Sequence, residues 1–127
     1  ETLRIKDAKE RAFKPDYIAV GGPLGISKHY AEYLLSFHCP VLRMSWEDAE
    51  FSKIAVNMML AAQVDYTNSL SQAALKVGAD WKEVSKALHF DRRIGPEAYL
   101  TPGKWQDSKH LLRDYVTLLK IKNEYPY

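Results

Sequence analysis

Between Ser45 and Val77 the chain reads SWEDAEFSKIAVNMMLAAQVDYTNSLSQAALKV, without a glycine or a proline. Ser45, with Asp48 three residues later, resembles a capping box, so we expect one long helix to begin here. Its apolar positions cover more than a single stripe, which predicts burial on two sides. They are Phe51, Ile54, Ala55, Met58, Met59, Ala61, Ala62 and Val64. Long helices of this kind often form dimer interfaces.

Upstream of this helix the chain alternates strand and helix signals. Residues 17–20, Tyr-Ile-Ala-Val, form a short apolar run before Gly21-Gly22-Pro23 and predict a buried strand. Residues 24–37 have apolar positions at helical spacing, and residues 41–44 predict a second strand. Two strands joined by a helix are the end of an α/β unit with a right-handed crossover.

Downstream, Gly78 ends the long helix and Asp80 caps a shorter one over residues 81–88. A loop follows over residues 89–103, which include two prolines and two glycines. A last helix is expected to start near Asp107 or Ser108 and to run to about Lys122. The predicted fold class is mostly α, with a short α/β segment at the N-terminus and a helical central domain built on one long helix.

Composition narrows the classes of function. The 127 residues carry 18 Lys and Arg against 16 Asp and Glu, a net charge of +2 that favours no polyanionic partner. The single cysteine, Cys39, excludes an intrachain disulfide framework and fits a cytoplasmic location. The histidines show no metal-ligand spacing, and no apolar run is long enough for a membrane span, so we expect neither a metal site nor a membrane segment. Because the chain opens at Glu1 and its first fourteen residues lack periodicity, it could be a fragment of a longer protein.

One face of the long helix carries polar residues within an apolar stripe. Glu50, Lys53 and Asn57 fall at i, i+3 and i+7, the spacing of a single helical face. An ammonium beside a carboxamide can hold an oxyanion or a water, as a dehydrogenase needs at the alcohol carbon. The spacing is equally compatible with a Glu–Lys surface pair beside a polar core asparagine, and the residues alone leave both interpretations open.

This helix and the segments after it resemble the UDP-glucose/GDP-mannose dehydrogenase family. The motifs that follow that family's order are Ala49-Glu50-x-x-Lys53-x-x-x-Asn57, Gly78-Ala79-Asp80-x-x-x-Val84, Asp91-Arg92-Arg93-Ile94-Gly95, Tyr99-Leu100, Pro102-Gly103 and Arg113-Asp114 with Leu118. Upstream, Glu1-Thr2-Leu3-Arg4 with Ala8, Pro15 and Gly21 is similar to the segment that leaves the nucleotide-binding domain. The resemblance thus implies three parts: residues 1–44 as the tail of a Rossmann-like NAD-binding domain, 45–122 as the helical central or dimerisation domain, and 123–127 as a linker.

The family resemblance implies a cytoplasmic, NAD-dependent homodimer of polysaccharide biosynthesis that oxidises the C6 alcohol of a nucleotide sugar to a carboxylate in two steps. Because no Gly-x-Gly-x-x-Gly fingerprint occurs, we expect the NAD site to lie outside this chain. The implied catalytic positions are Lys53, Asn57, His110, Asp114 and Glu1, and the implied substrate-binding positions are Arg93, Tyr99 and Leu100.

The resemblance also assigns a role to most of these residues. Lys53 would stabilise oxyanionic intermediates, whereas Asn57 and Asp114 would position a water and shuttle protons. Glu1 would assist hydrolysis of a thioester. Arg93 would reach a substrate across the dimer.

The chain departs from the family between Gly103 and Asp114, where the family has a glycine-rich run and a cysteine. Here the residues are Lys-Trp-Gln-Asp-Ser-Lys-His-Leu-Leu-Arg, and counting back from Asp114 places His110 at the cysteine position. A thiolate captures an aldehyde as a thiohemiacetal, and imidazole cannot readily replace it. Three outcomes remain open: a one-step dehydrogenase with His110 as general base, a catalytically degenerate dimerisation scaffold, or an enzyme whose cysteine comes from elsewhere.

A second class of function is DNA binding. Ala74, Gly78 and Val84 have the spacing of a helix-turn-helix motif, and basic residues lie close by. Against this, Asp80 and Glu83 lie in the turn and the second helix, and the near-neutral chain offers little attraction for phosphate. Nucleic acid is therefore the less favoured partner.

Overall fold

The computed structural model describes residues 8–23 and 25–124. Within them the chain is mostly helical, with a small parallel sheet near the N-terminus, which confirms the predicted fold class. The helices are α1 (Ala8–Phe13), α2 (Lys28–Leu35), α3 (Trp46–Lys76), α4 (Trp81–Phe90) and α5 (Lys109–Glu124), with a 3-10 turn at Trp105–Asp107. The strands are β1 (Ile18–Gly21) and β2 (Val41–Met44).

The described residues cluster into two compact units, divided between residues 53 and 54. The first holds β1 and β2, which pair in parallel with Ile18 opposite Val41 and Gly21 opposite Met44. Helix α2 is the crossover between them, as the sequence predicts. A compact unit is not by itself a domain, so the boundary expected at residue 44 stays a prediction.

Close packing within the first unit explains one glycine. A Cβ added to Gly21, at the end of β1, would lie 2.7 Å from the Cβ of Ala49 in the first turns of α3. Because real Cβ atoms do not approach so closely, only glycine fits where β1 meets this helix.

Several helix boundaries differ from the predicted ones: α4 ends at Phe90 rather than at residue 88, and α2 differs at both ends. Helix α2 begins at Lys28 rather than at residue 24 because Ser27 is extended and its Oγ accepts from the backbone N–H of Tyr30 at 3.3 Å. It ends at Leu35 rather than at Phe37, and His38 follows with a φ of 53°. Helix α1 lies in a segment for which the sequence showed little periodicity, and it is short and without buried residues.

Helix α3 begins and ends where its sequence predicts. Ser45 Oγ accepts from the backbone N–H of Asp48 at 3.0 Å, which is the expected N-cap. At the C-terminus Gly78 has a φ of 76°, and the backbone N–H of Ala79 donates to Ala74 O at 2.9 Å. This is a Schellman ending, which requires a residue with a left-handed backbone.

The core of the second unit lies between α3, α5 and the loop that joins α4 to α5. It consists of Ala61, Val64, Trp105 and Leu111, with Tyr99 packed against it. Trp105 is 9% exposed, and its ring meets that of Tyr115 edge-on at a centroid distance of 5.3 Å. No helix among the described residues is long and apolar enough to cross a membrane.

Candidate functional site

Two polar side chains that are 57 positions apart in sequence meet in the second unit. Asn57 of α3 is 3% exposed and Asp114 of α5 is 4% exposed. Asn57 Nδ2 donates to Asp114 Oδ2 at 2.6 Å. The two helices therefore bring together two of the residues that the sequence singles out.

A cation borders this pair from the solvent side. Arg113 Nε donates to Asp114 Oδ1 at 2.8 Å, while the Arg113 side chain is 59% exposed. The hydrogen bond to the carboxylate, with its opposite charge, raises the pKa of the Arg113 guanidinium. Each oxygen of the buried carboxylate thus accepts a hydrogen bond, one from an amide and one from a permanent cation.

Such an arrangement is not explained by stability. Removing a carboxylate from water is costly, and apolar side chains of similar volume often stabilise a core as well or better. Buried charged groups with defined partners are therefore candidates for function. The remaining donor and acceptor positions of the Asn57 carboxamide can orient a hydroxyl group or a water molecule.

The other predicted catalytic residues occupy different surroundings. Lys53 is partly buried on α3, four residues before Asn57, and its side chain is not free of polar or electrostatic contacts. His110 is exposed in the first turn of α5, one helical turn before Asp114. Glu1 lies outside the described residues.

The predicted substrate-binding residues lie on the loop between α4 and α5. The backbone N–H of Tyr99 donates to Gln63 Oε1 at 3.0 Å, and Leu100 O accepts from Trp81 Nε1 at 2.9 Å. Both residues are partly buried. The loop is thus tied to its neighbouring helices at the positions that the resemblance marks as substrate-binding.

Arg93 is exposed and paired within its own turn. Its Nη2 donates to Asp91 Oδ2 at 2.7 Å, and its Nε donates to Asp91 Oδ1 at 3.0 Å. These side-chain hydrogen bonds, with one from the Arg93 backbone N–H, lower the pKa of the Asp91 carboxyl, and Asp91 in turn raises the pKa of Arg93. The guanidinium is therefore held at the surface by Asp91. Within the described residues the hydrogen bonds that Arg93 donates go to Asp91, and none of them goes to Asn57 or Asp114.

A surface depression of about 660 Å³ lies beside this turn, at the C-terminal end of α4. Its lining includes Lys86, His89, Phe90 and Arg92. Arg93 is not part of the lining, and none of the predicted catalytic residues is. The depression and the Asn57–Asp114 pair are separate features.

Sequence reasoning missed a set of polar residues on α3 that contact the α4–α5 loop. They are Gln63, Asp65, Thr67 and Asn68. Their signal is visible afterwards: polar residues recur in the middle of a helix that is otherwise apolar or alanine-rich. Because the sequence does not show where the loop runs, polar residues at these positions are expected to face solvent.

Metal and DNA chemistry receive no added support. Within residues 8–23 and 25–124, no group of three His, Cys, Asp or Glu side chains is placed to hold a metal ion. Helix α4 follows the Gly78 turn as in a helix-turn-helix, but its Lys86 Nζ is paired with Glu83 Oε1 at 2.7 Å. This pairing reduces the positive charge that the helix could offer to phosphate.

Comparison with known proteins gives a consistent family. Residues 47–127 match the model of the UDP-glucose/GDP-mannose dehydrogenase family, central domain. The chain is 30% identical over 111 residues to UDP-glucose 6-dehydrogenase TuaD of Bacillus subtilis, covering 82% of this chain and 24% of that protein. It is 30% identical over 133 residues to UDP-glucose 6-dehydrogenase of Rickettsia bellii, covering 98% of this chain and 30% of that protein.

A solved structure agrees with this assignment. The UDP-glucose dehydrogenase of the hyperthermophilic archaeon Pyrobaculum islandicum superposes with a TM-score of 0.67 at 27% identity, over 94% of this chain and 33% of that one. The chain thus spans a quarter to a third of the length of these relatives. By sequence and by fold, it belongs to the UDP-glucose/GDP-mannose dehydrogenase family, whose central domain it matches from residue 47 to residue 127.

Proposed function

We propose that this chain supplies the substrate side and the dimer interface of an NAD-dependent nucleotide-sugar dehydrogenase that oxidises the C6 alcohol of the sugar in the cytoplasm. The observation that carries the proposal is the buried Asn57–Asp114 pair, joined at 2.6 Å. An apolar pair of similar volume would join α3 to α5 without the cost of desolvating a carboxylate, whereas a fixed amide and carboxylate are useful for orienting a hydroxyl and receiving its proton. The names of the relatives supply the substrate class.

The residues of this chain do not fit NAD. No Gly-x-Gly-x-x-Gly fingerprint occurs, and beside the turn after β1 a Cβ on Gly22 would lie 3.3 Å from the Trp46 ring. A dinucleotide needs backbone N–H groups open to its pyrophosphate at such a turn. In the proposed function NAD is therefore held by residues other than these, and this chain contributes only groups that bind and orient the sugar.

The reaction sets a clear demand on these groups. Oxidation of the alcohol to an aldehyde transfers a hydride to NAD and releases one proton, and a second oxidation with water gives the carboxylate, a second hydride and two more protons. Asp114 can receive a proton at Oδ2 once Asn57 shifts its hydrogen bond, while Asn57 orients the reacting hydroxyl. His110 lacks the sulfur that would hold the aldehyde covalently. The residues of this chain therefore support the first oxidation better than the second.

Turnover distinguishes these possibilities. The amount of NADH formed per UDP-glucose or GDP-mannose should be measured with the intact protein: two equivalents indicate the full oxidation and one indicates arrest at the aldehyde. Asn57→Ala should lower kcat by about a hundredfold or more, the usual effect of removing an orienting or proton-transferring group. The control Asn123→Ala, the same change at an exposed site of α5, should leave kcat unchanged. Equal rates for the two variants would remove the Asn57–Asp114 pair from the mechanism.

A second candidate is a catalytically degenerate dimerisation scaffold. The exposed His110 in place of a thiol and the absence of loop glycines favour it. Absence of NADH formation by the unmodified protein and by His110→Cys, with either sugar nucleotide, would eliminate the dehydrogenase proposal for these substrates and leave the scaffold.

Both candidates include a homodimer. Met59, Tyr66 and Leu70 on α3 and Val77, directly after its last residue, follow one another at intervals of seven, four and seven residues, the spacing of a single helical face. All four are exposed in the single chain, by 47% to 81%. A continuous exposed apolar stripe of this kind marks an interface.

Sedimentation velocity tests the dimer. The intact protein should sediment as a dimer, and Leu70→Glu should shift it toward monomer because a charge would be buried in the interface. Gln72→Glu adds the same charge at another exposed position of α3 and should leave the dimer intact. A monomeric unmodified protein would contradict both candidates.

A further inference from the structure

The loop between α4 and α5 is held along α3 by side chains of that helix. We call the hydrogen bonds between α3 side chains and residues 99–105 the loop seam. Gln63 Oε1 accepts from the backbone N–H of Tyr99 at 3.0 Å, and Thr67 Oγ1 donates to Tyr99 O at 2.9 Å. Thr67 is 1% exposed, so the donor side of this contact is buried. Tyr99 is thereby fixed through both of its backbone polar groups.

Asn68 makes the corresponding two-point contact farther along the loop. Its Nδ2 donates to Gly103 O at 2.8 Å, and its Oδ1 accepts from the backbone N–H of Gly103 at 2.9 Å. The carboxamide imitates the paired bonds that a neighbouring strand would give. Because both of its functional atoms are used on one residue, replacing the side chain releases donor and acceptor together.

At its last residue, Trp105, the loop seam combines a hydrogen bond with apolar packing. Trp105 Nε1 donates to Asp65 Oδ1 at 2.9 Å, and the indole ring is packed in the core against Ala61 and Val64. Residues 99–105 are therefore anchored at their start, near their middle and at their end. A segment with this many fixed points does not swing as a unit.

The seam compensates for the composition of the loop. Gly95, Pro96, Pro102 and Gly103 give it no regular backbone pattern. Apart from the 3-10 turn at Trp105–Asp107 it contains no helix or strand, so most of its backbone groups have no partner in a helix or a sheet. A loop without such partners would remain mobile, since its ordering entropy would not be offset. Here side chains from a rigid helix take the place of secondary structure.

From these contacts we propose that Asn68 is a positioning residue, which holds residues 99–105 as a fixed wall for the nucleotide sugar rather than as a lid that opens and closes. The proposal rests on the proposed function and on the substrate-binding positions, Tyr99 and Leu100, that the family resemblance implies. The Asn68 carboxamide makes both of its hydrogen bonds to the backbone of Gly103. Its effect on ligand binding would pass through the loop.

Two measurements on the intact protein test the proposal. Hydrogen exchange reports the Gly103 amide, and calorimetry reports the dissociation constant of UDP-glucose. Asn68→Ala should speed exchange at Gly103 and weaken UDP-glucose binding, each by about tenfold. The value of kcat should change by less than about twofold, because a mobile loop weakens substrate binding more than it slows the chemical step. Asn68→Asp keeps the acceptor for the Gly103 N–H and loses the donor, so its effect on exchange should be smaller.

Ser69→Ala is the matched control. Ser69 is exposed, follows Asn68 on α3, and its Oγ donates only locally, to Asp65 O at 3.1 Å. It should behave as the unmodified protein in both measurements. If Asn68→Ala matches Ser69→Ala in UDP-glucose affinity, the positioning role is overturned while the proposed function stands.

Failure of the proposed function looks different. If the unmodified protein binds neither UDP-glucose nor GDP-mannose, the proposed function fails and the positioning role fails with it, even where Gly103 exchange still depends on Asn68. Fast exchange at Gly103 in the unmodified protein would overturn the fixed wall directly, whatever the sugar affinity.

Discussion

Replacing Trp105 by alanine should be among the most destabilising single changes in the second unit. The ring is 9% exposed, and a tryptophan buries about 150–250 Å². At about 25 cal/mol per Å² this corresponds to about 4–6 kcal/mol for the whole side chain. After allowance for the remaining methyl group and partial collapse of the cavity, we expect a loss of about 3–5 kcal/mol in the free energy of unfolding.

Part of this loss comes from defined contacts. The indole N–H bond to Asp65 Oδ1 and the edge-on contact with Tyr115 each contribute about 1 kcal/mol. Asp65 is exposed, so its carboxylate is resolvated when the indole is removed and adds little further cost. Trp105→Phe keeps an aromatic ring and should therefore lose only about 1–2 kcal/mol.

Urea unfolding followed by far-ultraviolet circular dichroism measures both variants. Trp46→Ala is the control, because it removes the same side chain at a position that is 63% exposed and should cost less than about 1 kcal/mol. A Trp105→Ala protein that is no less stable than Trp46→Ala would show that the loop does not rest on the core as described.

Two further predictions concern the first unit and the Arg93 turn. Gly21→Ala should destabilise the protein by about 1–3 kcal/mol in the same unfolding assay, because its Cβ would lie 2.7 Å from that of Ala49. Gly25→Ala is the control and should be nearly neutral, because a Cβ there would meet nothing within 4 Å. Equal effects of the two substitutions would refute the close packing at Gly21. Because Arg93 lowers the pKa of Asp91 below its usual value of 3.8, the pair stabilises the fold above that pH and the contribution is lost as the pH falls through the lowered pKa. Carboxyl NMR titration should show the Asp91 pKa rising toward its usual value in Arg93→Leu and in high salt, and an unchanged pKa would refute the pairing.

Sequence patterns predicted the secondary structure well where local chemistry decides it. Ser45 and Gly78 mark the two ends of α3 because a cap hydroxyl and a left-handed residue act within one helical turn. Helix α2 was predicted too long because Ser27, three residues inside the apolar pattern, competes successfully as N-cap. The family resemblance was likewise carried by short ordered motifs, and the comparisons confirm it.

The candidate site needed the fold. Asn57 meets Asp114 because α3 packs on α5. The two residues are 57 positions apart in sequence, so no local sequence pattern predicts their contact. The sequence marks Asn57 by its spacing on the helical face with Lys53 and marks Asp114 only through the resemblance. The roles of Lys53, His110 and Arg93 stay predictions. Arg93 is held by Asp91 in the single chain, so a role across a dimer would require it to exchange that partner.

By itself, then, the sequence determined the two ends of α3, the parallel strand pair and the family, because caps, turns and periodicity are local and leave a direct trace in residue order. Tertiary structure alone decided that Trp105 fills the core, that Asn68 ties Gly103, and that Asn57 and Asp114 share a buried hydrogen bond. Those contacts join residues from distant segments, and their burial is a property of packing rather than of any one segment.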